Sequence, residues 1–361
     1  MSLRPDGSKW PVAILGATGA VGQTFVRLLE DHPWFEIAEL CASERSAGKS
    51  YVDAAHWLEG AMPAAVRDLR VLPCDPSSVR SPIVFSALDA ATAHDVEPAF
   101  AHAGRMVLSN AKSYRMDPDV PLVVPDVNAA HLDLVQGQRE GRGWTGAIIT
   151  NANCAAAVAA MALGPLHAAF GVRTIFAATM QATSGAGYPG VASLDILSNV
   201  IPYIADEEPK IEAELRKILG TRDGSRVIEA PIAVSTHANR VPVEHGHTVC
   251  MSIGFEKKPS AADVDELLRS WRGEAEVRGM PSAPERPIVM SDRPDRPQPR
   301  RDVNTGKGMS AVVGRVRPDP VLDVRLVVLG HNVVLGAAGA SVLNAELLAS
   351  RGVLAGPAHA R

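Results

Sequence analysis

Over the first 150 residues, short apolar runs rich in β-branched side chains alternate with stretches whose apolar positions recur at helical spacing. Residues 12–15, 35–41, 83–86, 106–109 and 122–124 read as strands, with 20–30, 91–102 and 129–135 as the helices between them. Strands separated by helices need crossover connections, which predicts an α/β unit built on a mostly parallel, doubly wound sheet. Beyond residue 150 the pattern changes. The runs 173–183, 226–234, 248–255, 310–317 and 323–330 are longer and interrupted by fewer helices, which predicts an α+β unit with a mixed or antiparallel sheet. Residues 155–162 and 209–219 read as helices, and 336–349 as a strongly helical segment. The expected organisation is a first domain over 1–150, completed by a C-terminal return over 331–361, and a second over 151–330. The Pro-, Arg- and Asp-rich stretch 280–305 reads as an exposed loop.

A chain of 361 residues exceeds what a single core usually supports, in keeping with two domains. Its 36 basic and 40 acidic residues nearly balance, so charge gives no case for a nucleic acid or an anionic membrane as partner. A small molecule fits better. The four cysteines, at 41, 74, 154 and 250, lack metal-site spacing, and the N-terminal stretch lacks the apolar core of a signal peptide. No apolar run reaches the roughly 18 residues needed to span a bilayer. A cytoplasmic protein with reduced thiols is the expectation. Aromatics are only 4% of the chain, so the core falls to Val, Leu, Ile and Ala.

Against that background Cys154 stands out, in Asn151-Ala152-Asn153-Cys154-Ala155-Ala156, where a polar strand end turns into an alanine-rich helix. A thiol at a helix N-terminus faces unpaired N–H groups and the positive end of the helix dipole, which favour thiolate and can hold an oxyanion. A nucleophile is the sharp reading, and a small buried apolar residue the plain one. Gly16-Ala17-Thr18-Gly19-Ala20-Val21-Gly22 follows an apolar strand and opens a helix, a variant of the turn that lets backbone amides approach a pyrophosphate in Rossmann-type domains. At the end of the second strand, Ser43 stands where an NAD-specific protein usually places an acidic residue, and Arg45 and Ser46 suit a 2′-phosphate and favour NADP, although Glu44 beside them suits a free ribose.

Arg240 and His247 lie seven residues apart in a strand-turn segment, pairing a carboxylate clamp with a group that exchanges protons near neutrality. His245 and His247 have the spacing of a metal pair, but no third ligand accompanies them, and no metal is expected. Gln181 ends a strand before the glycine-bearing loop Thr183-Ser184-Gly185-Ala186-Gly187, where an amide can orient a carbonyl. Glu207, Glu208 and Lys210 open a helix, with Glu207 and Lys210 on one face, and capping or solvated charge is their plain reading.

Taken together, these segments resemble the aspartate-semialdehyde dehydrogenases, most closely the archaeal and fungal branch of that family. The likeness runs from GATGAVG to GAAGASVLNAE and includes ASERSAGKSY, SNAKSYR, the Asn153-Cys154 pair, MQATSGAGYPGV, NRVPVEHGHT and HNVVLGAAG. The resemblance implies NADPH-dependent, reversible and phosphate-dependent reduction of aspartyl phosphate to aspartate semialdehyde through a cysteine thioester, in the biosynthesis of lysine, threonine and methionine. It implies Cys154 as nucleophile, Gln181 orienting the acyl group and His247 moving the proton. Arg240 would meet the substrate carboxylate and Glu207 its ammonium, while Arg115, Lys210 and Asn153 would hold the phosphate. Gly16, Thr18, Gly19, Ala20, Val21, Gly22, Ser43, Arg45, Ser46, Ser86, Ala87, Ser184, Gly185 and Asn332 would surround NADP. A catalytic and dimerisation role for the second domain, and a homodimer or homotetramer, come with the same likeness.

Three departures from the family pattern are Ala152 before the Asn-Cys pair, Ala155 and Ala156 after it, and His237-Ala238 near Arg240, which would bring a further histidine close to the site. They leave room for a relative reducing an acyl-CoA such as malonyl- or succinyl-CoA, for another acyl phosphate, or for a non-catalytic NADP-binding regulator.

Overall fold

The computed structural model describes residues 3–354. Seven strands form the first sheet: β1 (Trp10–Leu15), β2 (Phe35–Ala42), β3 (Leu72–Pro73), β4 (Ile83–Ser86), β5 (Met106–Ser109), β6 (Leu122–Val123) and β7 (Ala147–Asn151). Their order is β3-β2-β1-β4-β5-β7-β6 and every pairing is parallel. The chain winds outward from β1 in one direction and from β4 in the other. The crevice beyond the carboxyl ends of these two strands is therefore the switch point at which such sheets bind ligands.

The glycine turn sits at that point, and its glycines are required by close approach. Gly16 has φ +72°, and a Cβ there would lie 2.6 Å from the Ala87 carbonyl oxygen. A Cβ on Gly22 would lie 2.2 Å from the Gly16 oxygen, so the helix Ala20–Leu29 packs against its own entry turn only without one.

The second sheet begins with β8 (Val172–Gln181). After a small hairpin of β9 (Thr221–Asp223) and β10 (Arg226–Ile228), it continues with β11 (Ala233–Arg240), β12 (His247–Phe255), β13 (Ile288–Ser291), β14 (Ala311–Pro318) and β15 (Val324–Gly330). The order is β11-β8-β12-β15-β14-β13, with parallel and antiparallel pairs mixed. The helix Cys154–Phe170 lies against the inner face of this sheet, and its alanine-rich sides are buried nearly all round. Leu122 of β6 and Val124 just after it join the same cluster, so the helix that begins at Cys154 sits where the two sheets meet. The helix Gly339–Ser350 returns to the first sheet, burying Val342, Leu343, Leu347 and Leu348 with its core. The expected continuation over residues 355–361 lies outside the described residues.

Three expectations change. The stretch read as a helix over 129–135 is a tight 3-10 turn over Ala129–Asp133, and the α-helix runs over Leu134–Arg142. The run 226–234 is divided between β10 and β11 rather than continuous, because Pro231 lacks a ladder N–H and the chain turns there. The stretch expected as loop contains β13, which pairs in parallel with β14 at the sheet edge. It is four residues long and bracketed by prolines, too short for alternation to reveal it.

Candidate active site

Where β7 ends, Asn153 caps the next helix by accepting the Ala155 and Ala156 amides on Oδ1, at 2.9 and 3.1 Å. Cys154 is thus the first helical residue, and its Sγ lies 3.0 Å from His247 Nε2 at the start of β12. His247 is 0% exposed. Its Nδ1 accepts the Ala182 main-chain N–H at 3.1 Å. A main-chain amide can only donate, so the hydrogen-bond network assigns the ring proton to Nε2, facing the sulfur. Burial, reinforced by Arg240 and His331, lowers the pKa of the ring to about 3 and keeps it neutral. Burial also pushes the Cys154 thiol up to about 12; Glu207 adds to the rise, while Arg115 and Arg240 oppose it. Desolvation around the sulfur thus opposes the thiolate that the helix N-terminus is expected to favour.

A carboxylate organises the groups around this pair. Glu207 Oε1 accepts from Asn153 Nδ2 at 2.8 Å and from Gln181 Nε2 at 3.1 Å, and Lys210 Nζ stands 4.0 Å from its second oxygen. Arg240 Nη1 donates to the Ala182 carbonyl at 2.7 Å. The Ser184–Gly187 loop lies directly over it, since a Cβ on Gly185 would meet Arg240 Nη1 at 2.9 Å and His247 Cε1 at 3.1 Å. A cavity of about 430 Å³ collects Arg115, Asn153, Cys154, Glu207, Lys210 and Arg240 in its wall. Gln181 and His247 stand behind that wall and reach it through Glu207 and Cys154. Three cations, one carboxylate and a thiol around one small space suit an acidic substrate that also carries an amine.

A second cavity, about 470 Å³, runs along Ala20, Val21 and Thr24 and shares Val21, Ser184, Gly187 and Val333 with the first. The helix that opens at the glycine turn is in this way connected to the thiol. Asn332 donates from Nδ2 to Ser184 Oγ at 2.9 Å and accepts the Gly246 N–H on Oδ1 at 2.8 Å, fixing the loop at the junction. Ser43 and Arg45 are exposed just beyond β2, with Ser46 beside them, and Arg45 has no ion pair among the described residues. Ser86 ends β4 and Ala87, next in the chain, lies against Gly16; the buried Ser86 hydroxyl has no hydrogen-bond partner among the described residues.

Comparison with known proteins adds an independent line. A family model described as semialdehyde dehydrogenase, NAD binding domain, matches residues 11–135, and one described as semialdehyde dehydrogenase, dimerisation domain, matches 163–335. The aspartate-semialdehyde dehydrogenase of Archaeoglobus fulgidus is 47% identical over 341 residues, covering 94% of this chain and 98% of that protein. The chain belongs to the aspartate-semialdehyde dehydrogenase family. The Schizosaccharomyces pombe member is 48% identical over 354 residues, covering 95% and 99% of the two chains. A crystal structure of the Candida albicans enzyme with NADP superposes with a TM-score of 0.88 at 44% identity, over 95% of this chain and 99% of that one.

Within this family the departures noted at the helix head cost the cap nothing: Ala155 and Ala156 are both 0% exposed, and their amides remain satisfied by Asn153. His237 does not approach the site. It is three residues from Arg240 on one strand and so points to the opposite face, where it meets Phe176 edge-on. His245 holds Ser184 Oγ through Nδ1 at 3.0 Å and stacks on His331. Sequence reasoning missed Glu214 and Lys217. Both are buried charges on the helix Glu207–Ile218, spaced seven and ten residues after Glu207 and so on its face. That spacing was the available signal.

Proposed function

We propose that this chain is an NADP-dependent aspartate-semialdehyde dehydrogenase that reduces aspartyl phosphate and, in reverse, oxidises the semialdehyde in the presence of phosphate. The observation that carries the reading is the 3.0 Å contact between Cys154 Sγ and His247 Nε2, in the wall of a cavity lined by Arg115, Lys210, Arg240 and Glu207. Arg240 pairs with the substrate α-carboxylate, Glu207 with its ammonium, and Arg115, Lys210 and Asn153 with its phosphate.

Cys154 attacks the acyl carbon, forming a C–S bond as the C–O bond to phosphate breaks; the departing phosphate, a strong base, takes the thiol proton. Gln181, held by Glu207, keeps the amide ends around the acyl group in register. NADPH, when bound, supplies a hydride. His247 is a donor throughout: its Nε2–H hydrogen-bonds the oxyanion of the thiohemiacetal, and as the C=O bond re-forms the C–S bond breaks to release the aldehyde and the Cys154 thiolate, which regains its proton from solvent. Thr18, Gly19, Ala20 and Val21 hold the pyrophosphate side of the cofactor. Ser43, Arg45 and Ser46 meet its 2′-phosphate, and Ser86, Ala87, Ser184, Gly185 and Asn332 meet the path toward the thiol. The missing Cβ atoms of Gly16 and Gly22 support this assignment.

The working unit in this reading is at least a homodimer in the cytoplasm, with its four thiols free. The exposed Phe176 and Met180 on one face of β8 support an interface between copies. No described helix is long and apolar enough to cross a membrane. The test is NADP reduction by the purified protein with aspartate semialdehyde, with and without phosphate or arsenate, beside reduction of malonyl- and succinyl-CoA. The reading predicts that phosphate or arsenate raises the rate at least about tenfold and that neither thioester is reduced at a comparable rate. Acyl-CoA reduction that outruns the phosphate-dependent reaction would overturn it.

A further inference from the structure

Glu214 touches neither the cavity nor the sulfur, yet its two oxygens grip one group from each side of the reaction. Oε1 accepts from Arg115 Nη1 at 3.0 Å, and Oε2 accepts the main-chain N–H of Asn153. The carboxylate is 2% exposed and Arg115 is 9% exposed. Arg115 Nη2 is held by the Asn110 carbonyl at 2.8 Å, while its Nε is buried without a hydrogen-bond partner among the described residues. The guanidinium is thus fixed at two corners, with donor capacity left over beside a cavity that it helps to line.

The helix Glu207–Ile218 supplies this grip as part of a series. Glu207 faces Asn153 Nδ2 and Gln181, and Glu214 faces Asn153 N and Arg115. Lys217 Nζ ties down the carbonyls of Arg115, Asp117 and Val120 at 2.7, 2.6 and 2.8 Å. The loop that carries Arg115 and the cap that carries Cys154 therefore hang on one rigid rod. Removing Glu214 would leave a buried cation unpaired and free one end of the nucleophile's cap, although no substrate atom had been touched.

We propose that Glu214 is a positioning residue that couples the phosphate site to the nucleophile. By holding Arg115 and the Asn153 amide on one carboxylate, it sets the guanidinium where the phosphate of the substrate meets the helix that presents Cys154. This rests on the proposed function, since it takes Arg115 as a phosphate ligand. A residue that only supported the scaffold would lower the amount of active protein and leave the apparent affinity for phosphate alone.

The experiment is steady-state oxidation of aspartate semialdehyde by the full chain as wild type, Glu214→Gln, Glu214→Asp, Arg115→Lys and the double variant Arg115→Lys/Glu214→Gln. Glutamine keeps the size, but its NH2 must confront either the Arg115 or the Asn153 donor. KM for phosphate is expected to rise about tenfold in Glu214→Gln with KM for NADP within about twofold of wild type, and aspartate should recover part of the loss. In the Arg115→Lys background the same change should add less than about threefold, because the partner it positions is already altered. If the glutamine variant does not fold, Glu214→Asp must itself raise phosphate KM by about threefold. An unchanged phosphate KM in the folded variants, or effects that simply multiply in the double variant, would overturn the coupling. A wild-type protein without phosphate-dependent activity would instead sink the functional reading, so the two failures are told apart.

Discussion

Cys154→Ser should bind NADP as tightly as wild type and turn over at least about 10⁴-fold more slowly. The substitution changes one atom at the first residue of a helix whose cap, Asn153, is untouched, so neither fold nor cofactor site should move. What disappears is a polarisable nucleophile able to leave again as sulfur. A serine oxygen ester would form slowly in this desolvated position and collapse poorly. Titration of protein fluorescence with NADP, run beside the assay of NADPH formation, separates the two quantities. Turnover near the wild-type rate would remove the thioester from the mechanism, while a loss of NADP binding would mean that the residue is structural.

The second large effect concerns His247. His247→Ala should slow turnover by about 10²- to 10³-fold, and His247→Gln by appreciably less, because an amide N–H can stand in for the Nε2–H as donor. The direction follows from the Ala182 amide on Nδ1. A ring so engaged, with its pKa pushed down to about 3 by burial, stays neutral across the physiological range. The kcat profile should therefore lack a limb in the range of an ordinary histidine. Thiol reactivity should behave differently: with the Cys154 pKa pushed up to about 12, the thiolate fraction rises with pH throughout the neutral and mildly alkaline range. Alkylation of Cys154 by iodoacetamide should accordingly climb about tenfold per pH unit between about 6 and 9 without levelling off. A neutral-range limb that vanishes in His247→Gln would show that the ring does titrate there, and a plateau in alkylation would show a thiolate already formed.

Much of this arrangement was legible before any coordinates. Five of the seven strands of the first sheet follow from their apolar runs, whereas β3 is two residues long and offers no run to read; the switch point follows from the glycine turn, where close approach forbids a side chain. Cys154, Gln181 and the segment that carries Arg240 and His247 are far apart in sequence, and only the family resemblance united them; the structure brings Cys154 and Arg240 to the wall of one cavity, with Gln181 and His247 behind it at the ends of β8 and β12. Local polarity misled at two places. His237 looked like a neighbour of Arg240, but an odd spacing along a strand sends it to the other face. The helix N-terminus argued for a thiolate, whereas burial, which a sequence does not display, argues the other way. Glu214 was passed over because a glutamate in a polar helix reads as solvated until the packing of Arg115 against it is seen.

In the proposed mechanism the carbon skeleton rides on one sulfur while phosphate waits beside it. This is tested most directly by mixing the wild-type protein with aspartate semialdehyde and NADP in the absence of phosphate, quenching in acid and mapping the modified peptide by mass. An aspartyl group on Cys154, discharged when phosphate is added before the quench, is the predicted result. No acyl adduct, or one on any other residue, would contradict the account.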